Sequence, residues 1–450
     1  MNILSENNIY TCSLHEFLPV ENGQFFLLYA PLATVATLVS RKDVEALCSY
    51  LKQPSEGDPM EELACALLDT SPSESSLSRR IRGTDGFVNL SLLPNNVCNF
   101  QCSYCYSAAG RSQTEITPEK LTAVLDYFIC KGRTSHRRLT ISFLGGGEPL
   151  LSGHLVETAV KYANERAGRE GFELCYKIVT NGSILSPREL DLILENRMEV
   201  TVSYEILEEI QNLQRKHFDR VSRNLQLLAR KGALLSINAV ITPQNVCRQV
   251  EMVEEVSRQF PEITYLSFEP LMELNDWSAE QTDTRFYDRY ISHFLAARQV
   301  ACRHGIELSC SLLRNVDCSV ERYCAGEFAV CPDGNITSCP CISSPEMPHY
   351  ESYVYGRITE QNEIVIDTSR LSGLLDEDVH AHPECRDCFA KWNCGGGCLH
   401  ANRLEDKDKK QIKCDFVRKF TRHIIWERLK SDYENESEKP ILDILREANA

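Results

Sequence analysis

The run Cys98-Asn-Phe-Gln-Cys102-Ser-Tyr-Cys105 sets three thiols on one short segment in a C-x3-C-x2-C spacing. Three thiolates from a single loop can each take one iron of a [4Fe-4S] cube and leave the fourth iron without a protein ligand. An open iron is a binding site. The competing chemistry is zinc, but a structural zinc needs a fourth ligand, and its common spacing is paired C-x2-C.

A second constellation lies toward the C-terminus. Cys318-x5-Cys324-x9-Gly334-x4-Cys339 is followed by Cys385-x2-Cys388-x5-Cys394-x3-Cys398 and, 16 positions on, by Cys414. Taken alone, Cys385 to Cys398 could also form zinc ribbons. The chain has 21 cysteines in 450 residues, and Met1 to Tyr10 has no basic stretch leading into an apolar one. That start gives no secretory signal, so a cytoplasmic protein is expected, and in a reducing compartment metal ligation explains such a count better than disulfides. Ten cysteines fall outside the two constellations: Cys12, Cys48, Cys65, Cys130, Cys175, Cys247, Cys302, Cys310, Cys331 and Cys341. Most of these are expected to be core thiols, since free Cys behaves as a small hydrophobe. Spacing alone leaves Cys331 or Cys341 as substitutes for Cys339.

The net charge of -16 disfavours nucleic acid as a partner, because phosphate binding needs a concentrated basic surface. The stretch Lys407 to Lys413 reads as a solvated helix face. No 18-residue apolar run exists, so no membrane span is expected, and Phe25 to Val39 reads as a strand pair or a buried element.

Elements that could position the thiols follow from periodicity. Val88 to Leu93, Leu139 to Leu144, Lys177 to Thr180, Val200 to Tyr204, Leu234 to Ile241 and Tyr265 to Leu271 read as six strands, with helical patterns between them. In His217 to Gly232, for example, Phe218, Val221, Leu225 and Leu228 recur at three- and four-residue steps. Six strand-helix units imply parallel strands with right-handed crossovers. The fold class is therefore α/β, a partial (β/α)6 TIM-like barrel with its chemistry on the loops after the strands. From about Cys302 the alternation ends, and a Cys-rich segment follows whose stability is expected to come from metal. The expected divisions are an N-terminal region over 1–84, the barrel over 85–300, the Cys-rich domain over 301–425 and a tail over 426–450.

With the cysteine triad placed after the first strand, the sequence resembles the radical S-adenosylmethionine (SAM) superfamily. Gly145-Gly146-Gly147-Glu148-Pro149 after the second strand is similar to that family's GGEP motif, whose glycines let the backbone approach the amino group of SAM. Thr180-Asn181-Gly182 after the third resembles its TNG turn. Ser203, 12 residues before Arg215, is similar to the Ser and Arg with which SPASM-containing relatives hold the SAM carboxylate. Either residue could instead be structural, as a strand end or a helix surface. Glu205-Ile206-Leu207 departs from the relatives' usual Asp-Gly-Pro.

The resemblance implies a [4Fe-4S] cluster on Cys98, Cys102 and Cys105 whose open iron binds SAM, with Tyr104 and the residues above as cofactor contacts. Reductive cleavage of SAM would give a 5'-deoxyadenosyl radical that abstracts hydrogen. The C-terminal cysteines look like a complete SPASM domain with two auxiliary [4Fe-4S] clusters. By resemblance Cys318, Cys324, Cys339 and Cys398 hold one, and Cys385, Cys388, Cys394 and Cys414 the other. A low-potential donor such as flavodoxin or ferredoxin is implied as partner.

SPASM relatives mostly modify peptides or proteins, so the expected substrate is a peptide or protein, best a ribosomal precursor peptide, ending in oxidation or a thioether or carbon-carbon cross-link. Sulfatase maturases carry an Asp after the cysteine that matches Cys339. Here Pro340 stands there and cannot accept a proton, so formylglycine formation is the alternative, with Asp317, Asp333 or another carboxylate as base. A small-molecule substrate is a further alternative. Strand-like Gln24 to Tyr29, before a helix around Lys42 to Leu51, could hold a leader peptide by strand addition, or the N-terminal region could be a plain cap.

Overall fold

Strand-length alternation of apolar and polar residues dominates residues 88–271, and the computed structural model turns it into one long sheet. The structure describes residues 3–18, 25–73, 81–271, 283–316, 318–324, 326–404 and 407–448; Gln24 and Asp317 lie outside them. The chain divides into two units. The first comprises Met1–Arg80, Ser311–Tyr323 and Asp378–Ala450, and the second Ile81–Cys310 and Cys324–Glu377.

In the first unit, β1 (Tyr10–Ser13), β2 (Phe25–Ala30) and β3 (Val35–Ser40) form an antiparallel sheet in the order β1-β2-β3. Phe25 to Val39 is thus a strand pair, as its pattern suggests. Ser40 and Asp43 form a reciprocal capping box that starts the helix Arg41–Lys52. Alternate β2 residues serve opposite faces. Phe25, Leu27 and Tyr29 pack with Ile425, Trp426 and Leu429 of the helix Lys407–Ser437 and with Ile441 and Leu445. Leu28 and Ala30 pack with Leu4, Leu47, Ala64 and Leu67. Both faces of the small sheet are therefore covered, and strand addition could use only the outer edges of β1 and β3.

The second unit holds β4 (Asn89–Leu92), β5 (Arg138–Phe143), β6 (Glu173–Thr180), β7 (Glu199–Ser203), β8 (Leu234–Ile241), β9 (Tyr265–Pro270) and β10 (Glu307–Ser309). Then come β11 (Phe328–Val330), β12 (Asn335–Thr337), β13 (Val354–Ile358) and β14 (Ile364–Ile366). Their order is β10-β9-β8-β7-β6-β5-β4-β11-β12-β13-β14, parallel from β10 to β11 and antiparallel beyond. All six expected strands are present. The ladder is open at both ends among the described residues, so the barrel is partial. Two short strands extend the parallel set beyond the expected six: β10 beside β9, and β11, from the Cys-rich stretch, beside β4. The parallel sheet thus continues past Cys302, where the sequence alternation was expected to stop.

One face of the sheet is apolar. Leu90, Ile141, Ile178, Val200, Val202, Ile237 and Phe268 are all but inaccessible to solvent. The other face is polar, with Ser91, Ser142, Lys177 and Glu199 in one cross-strand row and Ser203, Asn238, Ser267 and Ser309 in another. A parallel sheet buried on both faces would read as continuous hydrophobic strands. This one lines one face with apolar side chains and the other largely with polar ones.

Candidate active site

The cysteine triad follows β4. Backbone bonds shape its loop: Cys105 N donates to Cys102 O at 3.2 Å, Ser103 N to Gln214 O at 3.0 Å, and Phe100 N to Cys98 Sγ at 3.5 Å. All three cysteines are free and half-buried. Burial pushes the Cys98 thiol up and pushes Cys102 up to about 11, with Arg215 opposing the rise at Cys102. Cys105 lies close enough to raise the pKa of both, and Cys98 close enough to raise that of Cys102.

The glycine turn passes directly beside this loop. Gly147 N donates to Asn95 O at 3.1 Å and Glu148 N to Val97 O at 2.7 Å, tying the turn to the residues just before Cys98. Gly145 and Gly146 have φ of +72° and +57°, a region that favours glycine. A Cβ on Gly145 would meet the Pro340 carbonyl oxygen at 2.8 Å, and one on Gly146 would meet Asn96 Oδ1 at 2.5 Å. The segment after Cys339 is thus packed against the turn.

Glu148 is buried and fully engaged. Its carboxylate accepts from Leu150 N at 3.1 Å, Thr180 Oγ1 at 2.6 Å and Asn181 N at 2.7 Å, and burial nevertheless raises its pKa. It locks the glycine turn to the Thr180-Asn181-Gly182 turn. Asn181 then reaches Asn99 at 2.9 Å, inside the cysteine loop. Pro149, the first residue of a 3-10 turn, is buried beside them. The three motifs read from the sequence are one connected structure.

Ser203 ends β7 opposite Asn238 of β8. Arg215 is buried at the C-terminal end of the helix Glu208–Gln214, where its guanidinium donates to the Tyr104 hydroxyl at 2.9 Å. Tyr104 in turn donates to the carboxylate of Glu205, whose second oxygen accepts from Val240 N at 3.1 Å. β7 stops at Ser203, so this carboxylate takes the strand N–H that a longer β7 would have met. Burial pushes Glu205 up to about 7, against the neighbouring Arg215 and the Tyr104 hydrogen bond. Ile206 follows with φ +67°, a strained conformation for a β-branched residue. The departure from Asp-Gly-Pro is therefore where Glu205 fastens the cysteine loop to β8.

Several buried polar atoms around the loop lack partners among the described residues: Asn95 Oδ1, Asn96 Oδ1, Arg111 Nε, Gln214 Oε1, Arg215 Nε and Asn238 Oδ1. Native interiors leave few such atoms, so this cluster suits a polar ligand. Three soft thiols on one loop beside a glycine turn fit a cubane with an open iron and a ligand on it. Among the described residues no three His, Cys, Asp or Glu side chains converge as a mononuclear site requires; a cubane takes each thiolate on a different iron. Arg111, Gln214 and Asn238 were not legible as site residues.

In the first unit, Cys385, Cys388, Cys394 and Cys414 are brought together. Burial, and after it the neighbouring thiols, push Cys385 up to about 11 and Cys394 up to about 12. Gly395, Gly396 and Gly397 all have positive φ and fold the chain back after Cys394, and a Cβ on Gly395 would lie 2.3 Å from the Tyr323 backbone nitrogen. Of the other expected set, Cys318 and Cys398 belong to this unit and Cys324 and Cys339 to the second. Cys331 is a core thiol, wholly buried with its Sγ 3.3 Å from Ile342 O, whereas Cys341 is half-buried. The expectation that most remaining cysteines are core thiols is corrected: only Cys12, Cys310 and Cys331 are buried, and Cys65, Cys247 and Cys302 are exposed. Cys65 and Cys302 lie on the solvent side of the helices Glu61–Leu68 and Thr284–Arg303, whose other side supplies core residues, and Cys247 lies in the short turn Val246–Arg248. Asp333 is held in its own turn by Asn335 and by the Tyr350 hydroxyl at 2.8 Å.

Comparison with known proteins agrees with this geometry. Residues 92–256 match the family model of the Radical SAM superfamily. A cysteine-type anaerobic sulfatase-maturating enzyme of Clostridium perfringens (strain 13 / Type A) is 23% identical over 345 residues, covering 69% of this chain and 88% of that one. A solved structure of native anSMEcpe with bound AdoMet and Kp18Cys peptide aligns with TM-score 0.61 and 18% identity, over 76% of this chain and 99% of that chain. Streptococcus suis SuiB bound to precursor peptide SuiA aligns with TM-score 0.53 and 13% identity, over 89% and 96%. The family match spans the triad, the glycine turn, the Thr-Asn-Gly turn and the Tyr104–Glu205–Arg215 network, so the chain carries a radical SAM domain over residues 92–256 and is an enzyme.

Proposed function

We propose that the protein is a radical SAM peptide maturase that abstracts hydrogen from a peptide or protein substrate, leading to oxidation or to a thioether or carbon-carbon cross-link. The observation that carries this reading is the linkage of the triad loop to the glycine turn and the Thr180 turn through Glu148 and Asn181. When bound, SAM at a reduced cubane supplies a 5'-deoxyadenosyl radical able to take hydrogen from unactivated C–H bonds. Cys98, Cys102 and Cys105 would hold that cluster, and the glycine turn leaves room for the amino group of SAM. Arg215, braced by Tyr104, and Ser203 would orient its carboxylate. Glu148, saturated by three donors, acts through the turns it fastens.

Similarity to sulfatase-maturating enzymes and to a precursor-peptide enzyme supports a peptide substrate. The polar face of the sheet, with its serine and asparagine side chains beside the Lys177–Glu199 ion pair, suits the hydrogen-bonding groups of a peptide. The eight C-terminal cysteines are assigned two auxiliary [4Fe-4S] clusters, and the electron donor is a low-potential flavodoxin or ferredoxin. Leader-peptide capture would use an edge of the small N-terminal sheet. Formylglycine formation is favoured as a second reading by the sulfatase-maturase similarity, although Pro340 supplies no base at its position.

Anaerobic reconstitution tests the cofactor assignment: about twelve iron atoms per chain are expected, from three cubes. A count near four in folded protein would remove the auxiliary clusters from this reading, and no SAM cleavage under dithionite at full iron content would remove the reading itself.

A further inference from the structure

Arg111 is the first charged residue after the triad. It follows the turn Ala108–Gly110 and is folded back over the cysteine loop. One guanidinium nitrogen donates to the Phe100 carbonyl, and another donates to Cys105 Sγ at 3.2 Å. Its charge is also felt by Cys98 and Cys102. Arg215 is the other cation acting on Cys102, and its guanidinium donates to the Tyr104 hydroxyl. Arg111 is thus a cation with a hydrogen bond to a triad sulfur.

We propose that Arg111 sets the reduction potential of the SAM-binding cluster. The proposal rests on the triad holding that cluster. An N–H donor on a ligand sulfur draws charge off the thiolate, and a fixed positive charge favours the state with one more electron. A cluster held by the triad would take one electron from the low-potential carrier and would supply it for cleavage of bound SAM. Arg111 eases the first transfer by making the cluster easier to reduce. A merely structural Arg111 would tie the loop together through Phe100 and leave the potential alone.

An EPR-monitored redox titration of the full reconstituted chain separates these roles, with the SAM-binding cluster identified by the change in its signal when SAM is added. In Arg111→Gln the charge is lost, and the reduced-to-oxidised ratio at a fixed potential is expected to fall at least tenfold, a shift of about 59 mV to more negative potential. Arg111→Lys keeps the charge without the two-pronged hydrogen bonding, and its midpoint is expected between wild type and Arg111→Gln. An unchanged midpoint in Arg111→Gln at full iron content overturns the proposal. So does loss of the cluster in Arg111→Gln alongside a wild-type midpoint in Arg111→Lys, since that is the structural role. If the triad holds no cluster, wild-type protein lacks the SAM-responsive signal, and the underlying reading fails instead.

Discussion

Replacing Cys98, Cys102 and Cys105 together by alanine is expected to abolish formation of 5'-deoxyadenosine from SAM, while about eight of about twelve irons remain. The three thiols sit on one loop, burial raises the pKa of Cys98 and Cys102, and metal binding would displace their protons. No other cysteine of the Radical SAM match region besides Cys130, Cys175 and Cys247 could substitute, and these lie far along the chain from the loop. Because the C-terminal cysteines are untouched, the auxiliary clusters should stay visible by absorption and EPR. Retained SAM cleavage in this variant would refute the assignment of the triad.

The second large effect is expected from Gly147→Ala. An added Cβ would lie 1.9 Å from the Val97 carbonyl oxygen and 2.5 Å from its carbon. Those are backbone atoms, fixed by the Glu148 N to Val97 O bond at 2.7 Å, so relief requires breaking the bridge that carries the chain into Cys98. Overpacking of this kind costs about 3 kcal/mol or more where nothing can yield. A loss of about 6 °C or more in melting temperature follows, together with failure to reconstitute the SAM-binding cluster. Gly168→Ala is the matched control: it lies in the helix Gly153–Glu170 with nothing within 4 Å of a new Cβ, and should stabilise by about 0.5–1 kcal/mol. Equal melting temperatures for the two variants would show that the glycine turn is not packed as described.

The parts of the fold that were legible are those with a repeating local signal. β4 to β9 carry enough alternation to be read, and Gly232, with φ +74°, stops the helix Phe218–Arg230 as its position suggests. β10 and β11 are only three residues each, too short to show a period, and they exist because β9 and β4 offer open edges. The helix Lys407–Ser437 could be read as amphipathic, yet nothing local says that Ile425, Trp426 and Leu429 cover the β1-β2-β3 sheet.

The site divides in the same way. Cysteine spacing and the two glycine turns are contiguous motifs and were legible at once. Glu205 was visible only as a departure from a pattern; its role depends on β7 ending opposite Asn238, two residues before Val240, a register that no stretch of sequence states. Arg111 looks like any loop arginine until the Ala108–Gly110 turn brings it back onto Cys105. The exposed Cys65, Cys247 and Cys302 show the converse error, in which residue type was a poor guide to burial.

The central claim is that SAM-derived chemistry on this chain takes hydrogen from a peptide, and isotope transfer tests it most directly. Reconstituted protein would be incubated with SAM, dithionite and a perdeuterated candidate peptide, either a short precursor encoded beside the gene or a Cys-containing sulfatase peptide. The account predicts 5'-deoxyadenosine carrying one deuterium, with the peptide losing hydrogen or gaining a cross-link in the same proportion. Unlabelled 5'-deoxyadenosine with both peptides, alongside deuterium uptake from a labelled small metabolite, would contradict it.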